Sequence, residues 1–364
     1  MPKSLATATS RSRGRGVLAA LVALTAFALT ACAAGSDTAA SATASATTSA
    51  TASAPSPSAA PAPDPVTMSI ASMKGPTTMG LVGLIDAVEK GTAGEDYRVT
   101  MYGAPDEVVP LVAQGQVDIA LIPANLAAVL YNKTQGTDAE ISVLAVNTLG
   151  VLNIVENGET ITSLEDLRGR TIFSTGKGAS PEYVLNYLLA AAGMTPGVDV
   201  TVEYLSEHTE VMARLTQTPG SAGLLPQPFV TIGQAKNAGL RVALDLTDEW
   251  DAVAPESQLI TGVVVVRNGF AAEHPDAVAQ FMTEYEASTA WVNANPADAG
   301  VLIAEAGIVP EAPLAAKAIP NCHITFISGA ELKASLSGYL QVLFNADPAS
   351  VGGSVPGDDF YYAG

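Results

Sequence analysis

Apolar residues along this chain fall into two alternating rhythms, short continuous runs and stripes at helical spacing, and the alternation persists from Thr67 to the last helix. Thr67 to Met73 reads as a strand, and after the loop Lys74-Gly75-Pro76-Thr77-Thr78-Met79-Gly80 the positions Leu81, Leu84, Ile85 and Val88 predict a helix. Tyr97 to Tyr102 is a strand, and Asp106 to Gln114 a helix that turns Val108, Leu111 and Val112 inward and stops at Gly115. Val117 to Ile122 is a buried strand that opens at Pro123-Ala124-Asn125 onto a further helix, Leu126 to Tyr131. Strands follow at 141–147 and 151–155, then a short helix capped by Ser163-Leu164-Glu165-Asp166.

The stretch from Arg170 to Gly193 repeats the pattern most clearly. Thr171 to Ser174 is a strand, Thr175 to Ala179 a small-residue loop, and Ser180 is expected as an N-cap with Pro181 at the first helical position. Val184, Leu185, Leu188 and Leu189 bury one face of that helix, and Gly193 ends it. Further pairs follow: strand 200–205 with helix 207–215, and strand 222–225 with helix 229–237. Strands 241–244 and 259–266 come next, then a long helix from Pro275, helices 297–305 and 313–318, strand 323–327 and a helix capped by Ser328 and Glu331. This order argues an α/β class with mostly parallel sheets and no solenoid repeat. In such sheets ligands bind beyond the carboxyl ends of the strands, where helices begin and unpaired N–H groups gather.

The first residues change the picture, because they read as targeting rather than fold. Lys3, Arg11, Arg13 and Arg15 precede an apolar run, Val17 to Leu29, and Leu29-Thr30-Ala31-Cys32 resembles a bacterial lipobox at all four positions. The resemblance implies a signal peptide over 1–31, removed before Cys32, and a diacylglycerol on that thiol that holds the protein to a membrane without a span. From 32 to 65 the chain is almost wholly Ala, Ser, Thr and Pro, which predicts a disordered tether. The formal charge of −19 disfavours a nucleic-acid partner. With Cys32 acylated, Cys322 has no partner for a disulfide and is expected as a small buried hydrophobe.

The order of motifs resembles the substrate-binding lipoproteins of ABC importers, in the nitrate, sulfonate and taurine group that also includes binders of thiamine-pyrimidine precursors. The residues that carry it are the Lys74 to Gly80 loop, Gly115 to Asn125, Leu164 to Gly169 leading into the Arg170 to Gly193 stretch, Leu225-Pro226-Gln227-Pro228-Phe229 and Trp291 to Pro296. The resemblance implies a two-lobed, type II periplasmic-binding-protein-like fold with two hinge crossings, near 147–153 and 258–262, and a ligand cleft between the lobes. Lobe one then comprises 66–148 and 260–364, and lobe two 149–259. It also implies an extracytoplasmic, membrane-anchored monomer with three partners: a small solute, for which a sulfonate, a carboxylate and a neutral heterocycle suit the available donors alike, an ABC permease, and the membrane reached through the lipid anchor. The family usually has Glu-Pro where Gln227-Pro228 stands, so no carboxylate role is carried over there.

Residues at the predicted strand ends are the candidate ligand contacts: Lys74, Pro76, Thr77, Thr78, Ala124 and Asn125 on one wall, and Ser174, Thr175, Lys177, Ser180 and Gln227 on the other. Thr77 and Thr78 serve equally as caps for their own helix, and Lys74 and Lys177 as solvated loop lysines. Trp250 permits a cleft-edge role, while Phe281, Tyr285 and Val292 share a core face. No Gly-x-Ser-x-Gly elbow or His-Glu-x-x-His occurs, Gly176-Lys177-Gly178 lacks the hydroxyl of a phosphate loop, and His208, His274 and His323 are scattered. No catalytic residue, metal or cofactor is therefore expected. Two alternatives remain: an enzyme of the same fold that makes the thiamine pyrimidine, which needs a histidine and metal-linked residues in the cleft, whereas none of the three histidines falls at a predicted strand end there, and a lipoprotein that binds another protein through an exposed apolar patch.

Overall fold

The computed structural model describes residues 64–364; the expected signal peptide, Cys32 and nearly all of the tether lie outside the described residues. Eleven strands form two sheets among them. In chain order they are β1 (Thr67–Met73), β2 (Asp96–Tyr102), β3 (Ile119–Pro123), β4 (Ile141–Leu149), β5 (Leu152–Asn157), β6 (Thr171–Ser174), β7 (Thr201–Tyr204), β8 (Ala222–Pro226), β9 (Leu240–Asp245), β10 (Ile260–Arg267) and β11 (Ile324–Ser328). The first sheet has the order β11-β4-β10-β3-β1-β2, the second β7-β6-β8-β5-β9. The helices are α1 (Pro76–Met79), α2 (Val82–Glu89), α3 (Pro105–Ala113), α4 (Ala124–Thr134), α5 (Ser180–Ala191), α6 (His208–Gln217), α7 (Phe229–Lys236), α8 (Leu246–Val253), α9 (Asn268–Glu273), α10 (Pro275–Ala294), α11 (Pro296–Glu305), α12 (Ala312–Ala318) and α13 (Gly329–Ala346).

The α/β class and the two-lobed arrangement are as the sequence predicts, but the sheets are mixed rather than mostly parallel. β1 runs parallel to β2 and β3, and β6 to β7 and β8, whereas β10 is antiparallel to β3 and β4, and β5 to β8 and β9. The reason is geometric. A chain that crosses from the other lobe enters its new sheet from the cleft, at the carboxyl ends of the strands already there, and must run against them. Gly262 accordingly pairs with Pro123, and Leu152 with Pro226.

The crossings lie at Leu149–Leu152 and between α8 and β10, and glycine is needed at both. A methyl group on Gly150 would lie 2.2 Å from Thr247 Oγ1, and one on Gly262 would lie 2.6 Å from Asn147 Oδ1. Behind the crossings, Trp250 of α8 packs between Tyr187 of α5 and Tyr339 of α13, with ring centroids 5.0 and 5.4 Å away. Trp250 is fully buried and donates from Nε1 to Ser257 Oγ at 3.0 Å, so its cleft-edge role is excluded by packing. The sequence pattern missed α8, which Asp245 caps by accepting from the Thr247 N–H.

Each lobe's core follows the apolar stripes. Val184, Leu185, Leu188 and Leu189 are all buried, as is the run Val263 to Val266, each full burial contributing about 1.5–3 kcal/mol. Phe281, Tyr285 and Val292 fill lobe one, and Cys322 is buried with its Sγ 3.7 Å from Met79 Sδ. Gly115 and Gly193 take the left-handed conformation that ends their helices. Two expected caps differ. α5 opens at Ser180 itself, whose hydroxyl goes elsewhere, and Ser328 makes no side-chain cap to α13.

Candidate functional site

The carboxyl ends of β1, β3, β6 and β8 converge on a cleft of about 420 Å³ between the lobes, lined by loops of both. Lobe one supplies the turn after β1. Gly75 adopts φ 135°, a backbone conformation that favours glycine, and lies close enough to lobe two that a methyl group there would sit 3.7 Å from the Phe229 ring. This turn brings Lys74, Pro76 and Thr77 to the cleft. Thr78 points the other way. Its hydroxyl donates to the Met73 carbonyl at 2.6 Å and meets Ser72 Oγ at 2.6 Å, fully buried.

Lobe two supplies the loop from Thr175 to Ser180, in which Gly176 and Gly178 are both left-handed. Glu182 accepts from the Gly178 N–H and steadies the loop. Lys177 stands exposed at its tip, its Nζ 6.0 Å from the Tyr204 ring centroid. Burial and the neighbouring Glu182 push the Tyr204 phenol up, so it remains a neutral hydroxyl. Thr175, Lys177 and Ser180 line the cleft.

Of the eleven strand-end residues picked from sequence, these six reach the cleft lining: Lys74, Pro76, Thr77, Thr175, Lys177 and Ser180. The other five do not. Ala124 is completely buried in α4, and Ser174 is buried with its hydroxyl donating to the Thr175 carbonyl at 3.0 Å. Gln227 Oε1 accepts from the Thr231 N–H and hydroxyl at 3.2 and 2.8 Å, tying down the start of α7. Asn125 is an interlobe strut. Its Nδ2 donates to the Ser350 carbonyl at 3.0 Å and across to the Gly178 carbonyl at 3.3 Å, while Ser180 donates to its Oδ1 at 3.2 Å. Thr78, the fifth, ties α1 back to the end of β1 through the Met73 carbonyl, and neither it nor Thr77 makes the side-chain cap expected of them.

Other lining residues escaped the sequence reading. Gly103, Ala104, Pro105 and Asp106 come from the end of β2 and start of α3, Thr261 from β10, and Leu205 to His208 from the β7–α6 junction. The expectation that no histidine stands at a strand end of the cleft is therefore wrong. His208 is the first residue of α6, its Nδ1 lies 3.0 Å from Thr175 Oγ1, and its ring packs on Phe229 with centroids 4.1 Å apart. Burial pushes its imidazole down to about 4, so it is neutral at pH 7. The rule that found Ser180, a strand that ends where a helix begins, finds His208 when applied to the strand ending at Leu205.

Among the described residues no group of three or more His, Cys, Asp or Glu side chains is placed to hold a metal ion, and no helix is long and apolar enough to cross a membrane. What the cleft offers instead is hydrogen bonding and charge: hydroxyls, a neutral imidazole, two lysines and the carboxylates of Asp106 and Glu207.

Solved structures share this architecture. An ABC transporter protein from Parabacteroides distasonis is 24% identical, with 82% of this chain and 99% of that one covered at a TM-score of 0.66. The periplasmic aliphatic sulphonate-binding protein SsuA from Escherichia coli is 18% identical, covering 82% and 96% at 0.62. The alkanesulfonate-binding protein SsuA from Xanthomonas axonopodis pv. citri, solved with MOPS bound, is 15% identical, covering 81% and 96% at 0.62. At these identities they establish the fold. No curated protein matches the sequence. A family model does, the one described as ABC transporter, phosphonate, periplasmic substrate-binding protein, over residues 69–309, a span that includes every cleft residue named above. The chain therefore belongs to this family of periplasmic substrate-binding proteins of ABC transporters, which bind a solute and are not enzymes.

Proposed function

We propose that this protein is a lipid-anchored receptor that captures a small oxyanion, of the phosphonate or sulfonate kind, in its interlobe cleft and hands it to an ABC permease. In this reading Cys32 is the acylated first residue of the mature chain, 32–65 is the tether, and lobes formed by 66–148 with 260–364 and by 149–259 close on the solute as a monomer. Small-angle scattering should then show a smaller radius with saturating solute.

One observation carries the choice of an oxyanion. Lys74 and Lys177 line the same cleft from opposite lobes, and neither lies within salt-bridge distance of a carboxylate among the described residues. A solute with negative charge between them gains contacts to both lobes and so stabilises the closed state. The family description and the sulfonate-binding neighbours support the same class. A second reading rests on Asp106 and Glu207, whose carboxylates share the cleft and favour a solute that also carries an ammonium group. A protein-binding role has less support: among the described residues the exposed large hydrophobics are Val198, Val253 and Val301, on separate segments.

The test is a melting-temperature panel with methylphosphonate, 2-aminoethylphosphonate, ethanesulfonate and taurine. A solute at a hundredfold its Kd stabilises by about 2.7 kcal/mol. A shift with the amino compounds alone selects the second reading. No shift with any member contradicts the proposal. Mass spectrometry of protein made in its own host checks the anchor, since Cys32→Ser should abolish the lipidated mature form.

A further inference from the structure

A chain that joins two closing lobes turns at its crossings, and the first crossing is gripped at the torsions that would turn. The grip comes from His323, on lobe one, immediately before β11. It is the single non-glycine residue with a positive φ among the described residues, at 43°. That conformation brings its carbonyl and its ring to the same short piece of backbone. The carbonyl accepts from the Leu149 N–H at 3.2 Å, and the ring Nδ1–H donates to the Gly150 carbonyl. Because a carbonyl can only accept, the proton of this bond belongs to Nδ1.

Between those two contacts lie the backbone torsions of Leu149 and Gly150. The Leu149 N–H belongs to the peptide group before them and the Gly150 carbonyl to the peptide group after, and each group is planar. With one residue bonded to both, the torsions between cannot turn far without breaking a bond. The peptide group in the middle is held as well, since the Leu149 carbonyl accepts from the Thr261 hydroxyl of the second crossing at 2.6 Å. Lobe two takes over at the next residue, where the Val151 carbonyl accepts from the Gln227 N–H at 3.0 Å.

A histidine in the left-handed region costs free energy and persists only where its surroundings over-determine it. Here its two neighbours do so: Cys322 is buried against Met79, and Ile324 pairs with Thr148 while its carbonyl accepts from Asn293 Nδ2 at 2.8 Å. His323 itself is exposed and does not line the cleft. Its conformation therefore serves neither the core nor a solute contact.

We propose that His323 is a hinge clamp, a positioning residue that fixes the first crossing in the torsions of the closed state and so raises solute affinity without touching the solute. This rests on the reading that the lobes close on a solute. The clamp is seen together with closure, since Asn125 of lobe one donates to the Gly178 carbonyl of lobe two at 3.3 Å and Ser180 donates back to Asn125 at 3.2 Å. When only a fraction of the molecules is closed, the apparent Kd is the closed-state Kd divided by that fraction. Loss of the clamp then weakens every solute by one common factor, whereas loss of a solute contact weakens different solutes differently. The change falls on release rather than on association.

The experiment removes the ring and keeps the backbone. His323→Gly deletes the Nδ1 bond and takes the positive φ freely, so its melting temperature should not fall; His323→Ala leaves a Cβ in the left-handed region and should melt lower. Calorimetry and stopped-flow release with ethanesulfonate and methylphosphonate should show His323→Gly binding about three- to tenfold more weakly, by the same factor for each solute that wild type takes, with faster release and unchanged association. Unchanged affinity and release, or factors that differ between solutes, overturn the clamp and leave the oxyanion reading standing. Two measurements on the free full chain need no solute. Hydrogen exchange over residues 148–152 should be faster in His323→Gly than in wild type, and ¹⁵N-imidazole NMR, assigned by the signal lost in that variant, should show a proton on Nδ1. Equal exchange, or an unprotonated Nδ1, overturns the clamp even where neither solute binds, an outcome that would itself overturn the oxyanion reading instead.

Discussion

The two walls of the cleft are built from the same sequence device, a strand that ends where a helix begins, and they spend it differently. On the lobe-one wall the hydroxyl of Thr78 and the amide of Asn125 are turned into the structure, one tying a turn and the other bridging the lobes. On the lobe-two wall the loop backbone is held by Glu182 and by its own glycines, which leaves Lys177, Thr175 and, beyond them, His208 at the cleft. A polar side chain at a strand end reaches the ligand space only when something else satisfies the local backbone. The contrast predicts stability defects where a strand-end side chain is turned into the structure, as at Thr78, Asn125 and Ser174, and affinity defects where it faces the cleft, as at Lys74 and Lys177.

The largest stability effect belongs to Asn125. Asn125→Ala leaves the Ser180 hydroxyl and the Ser350 and Gly178 carbonyls without this partner, at a cost of about 2–4 kcal/mol in a thermal melt. An unchanged melting temperature breaks the comparison. His208 should show next, through pH. Its folded-state pKa of about 4 lies below the ordinary value near 6.5, so the unfolded chain takes up the proton first and stability is lost as the pH falls through that window. His208→Phe should lose about 1–3 kcal/mol less than wild type between pH 7 and pH 4. Thr78→Val should cost about 1–2 kcal/mol by freeing the Met73 carbonyl, with solute affinity following only as far as the turn is displaced. Ser174→Ala should cost about 1 kcal/mol and leave affinity alone, because its hydroxyl serves the Thr175 carbonyl.

Much of the fold was legible because its cues are local. The stripe at Val184, Leu185, Leu188 and Leu189, the stops at Gly115 and Gly193 and the β1 run need only neighbouring residues to be read. Strand direction was not legible: that β5 and β10 run against their neighbours follows from the chain entering each sheet through the cleft, a long-range fact. α8 went unread because its polar face, Asp248, Glu249 and Asp251, obscures the two buried anchors Leu246 and Trp250. At the site, the strand-end rule placed the loops but not the side chains. Whether Asn125 faces solute or Gly178 depends on how the lobes meet, and His208 escapes because it opens α6 three residues beyond the predicted strand end at Leu205 rather than standing on that end.

The most direct test of the account is calorimetry of methylphosphonate and ethanesulfonate against wild type, Lys74→Ala and Lys177→Ala. Both lysines are exposed at the cleft, so neither substitution should lower the melting temperature. The account predicts that each weakens binding of the solute that wild type takes by about 1.5–3 kcal/mol and reduces its salt dependence, one from each lobe. Affinity unchanged in both variants, at low and high salt alike, would contradict an oxyanion held between the two lobes.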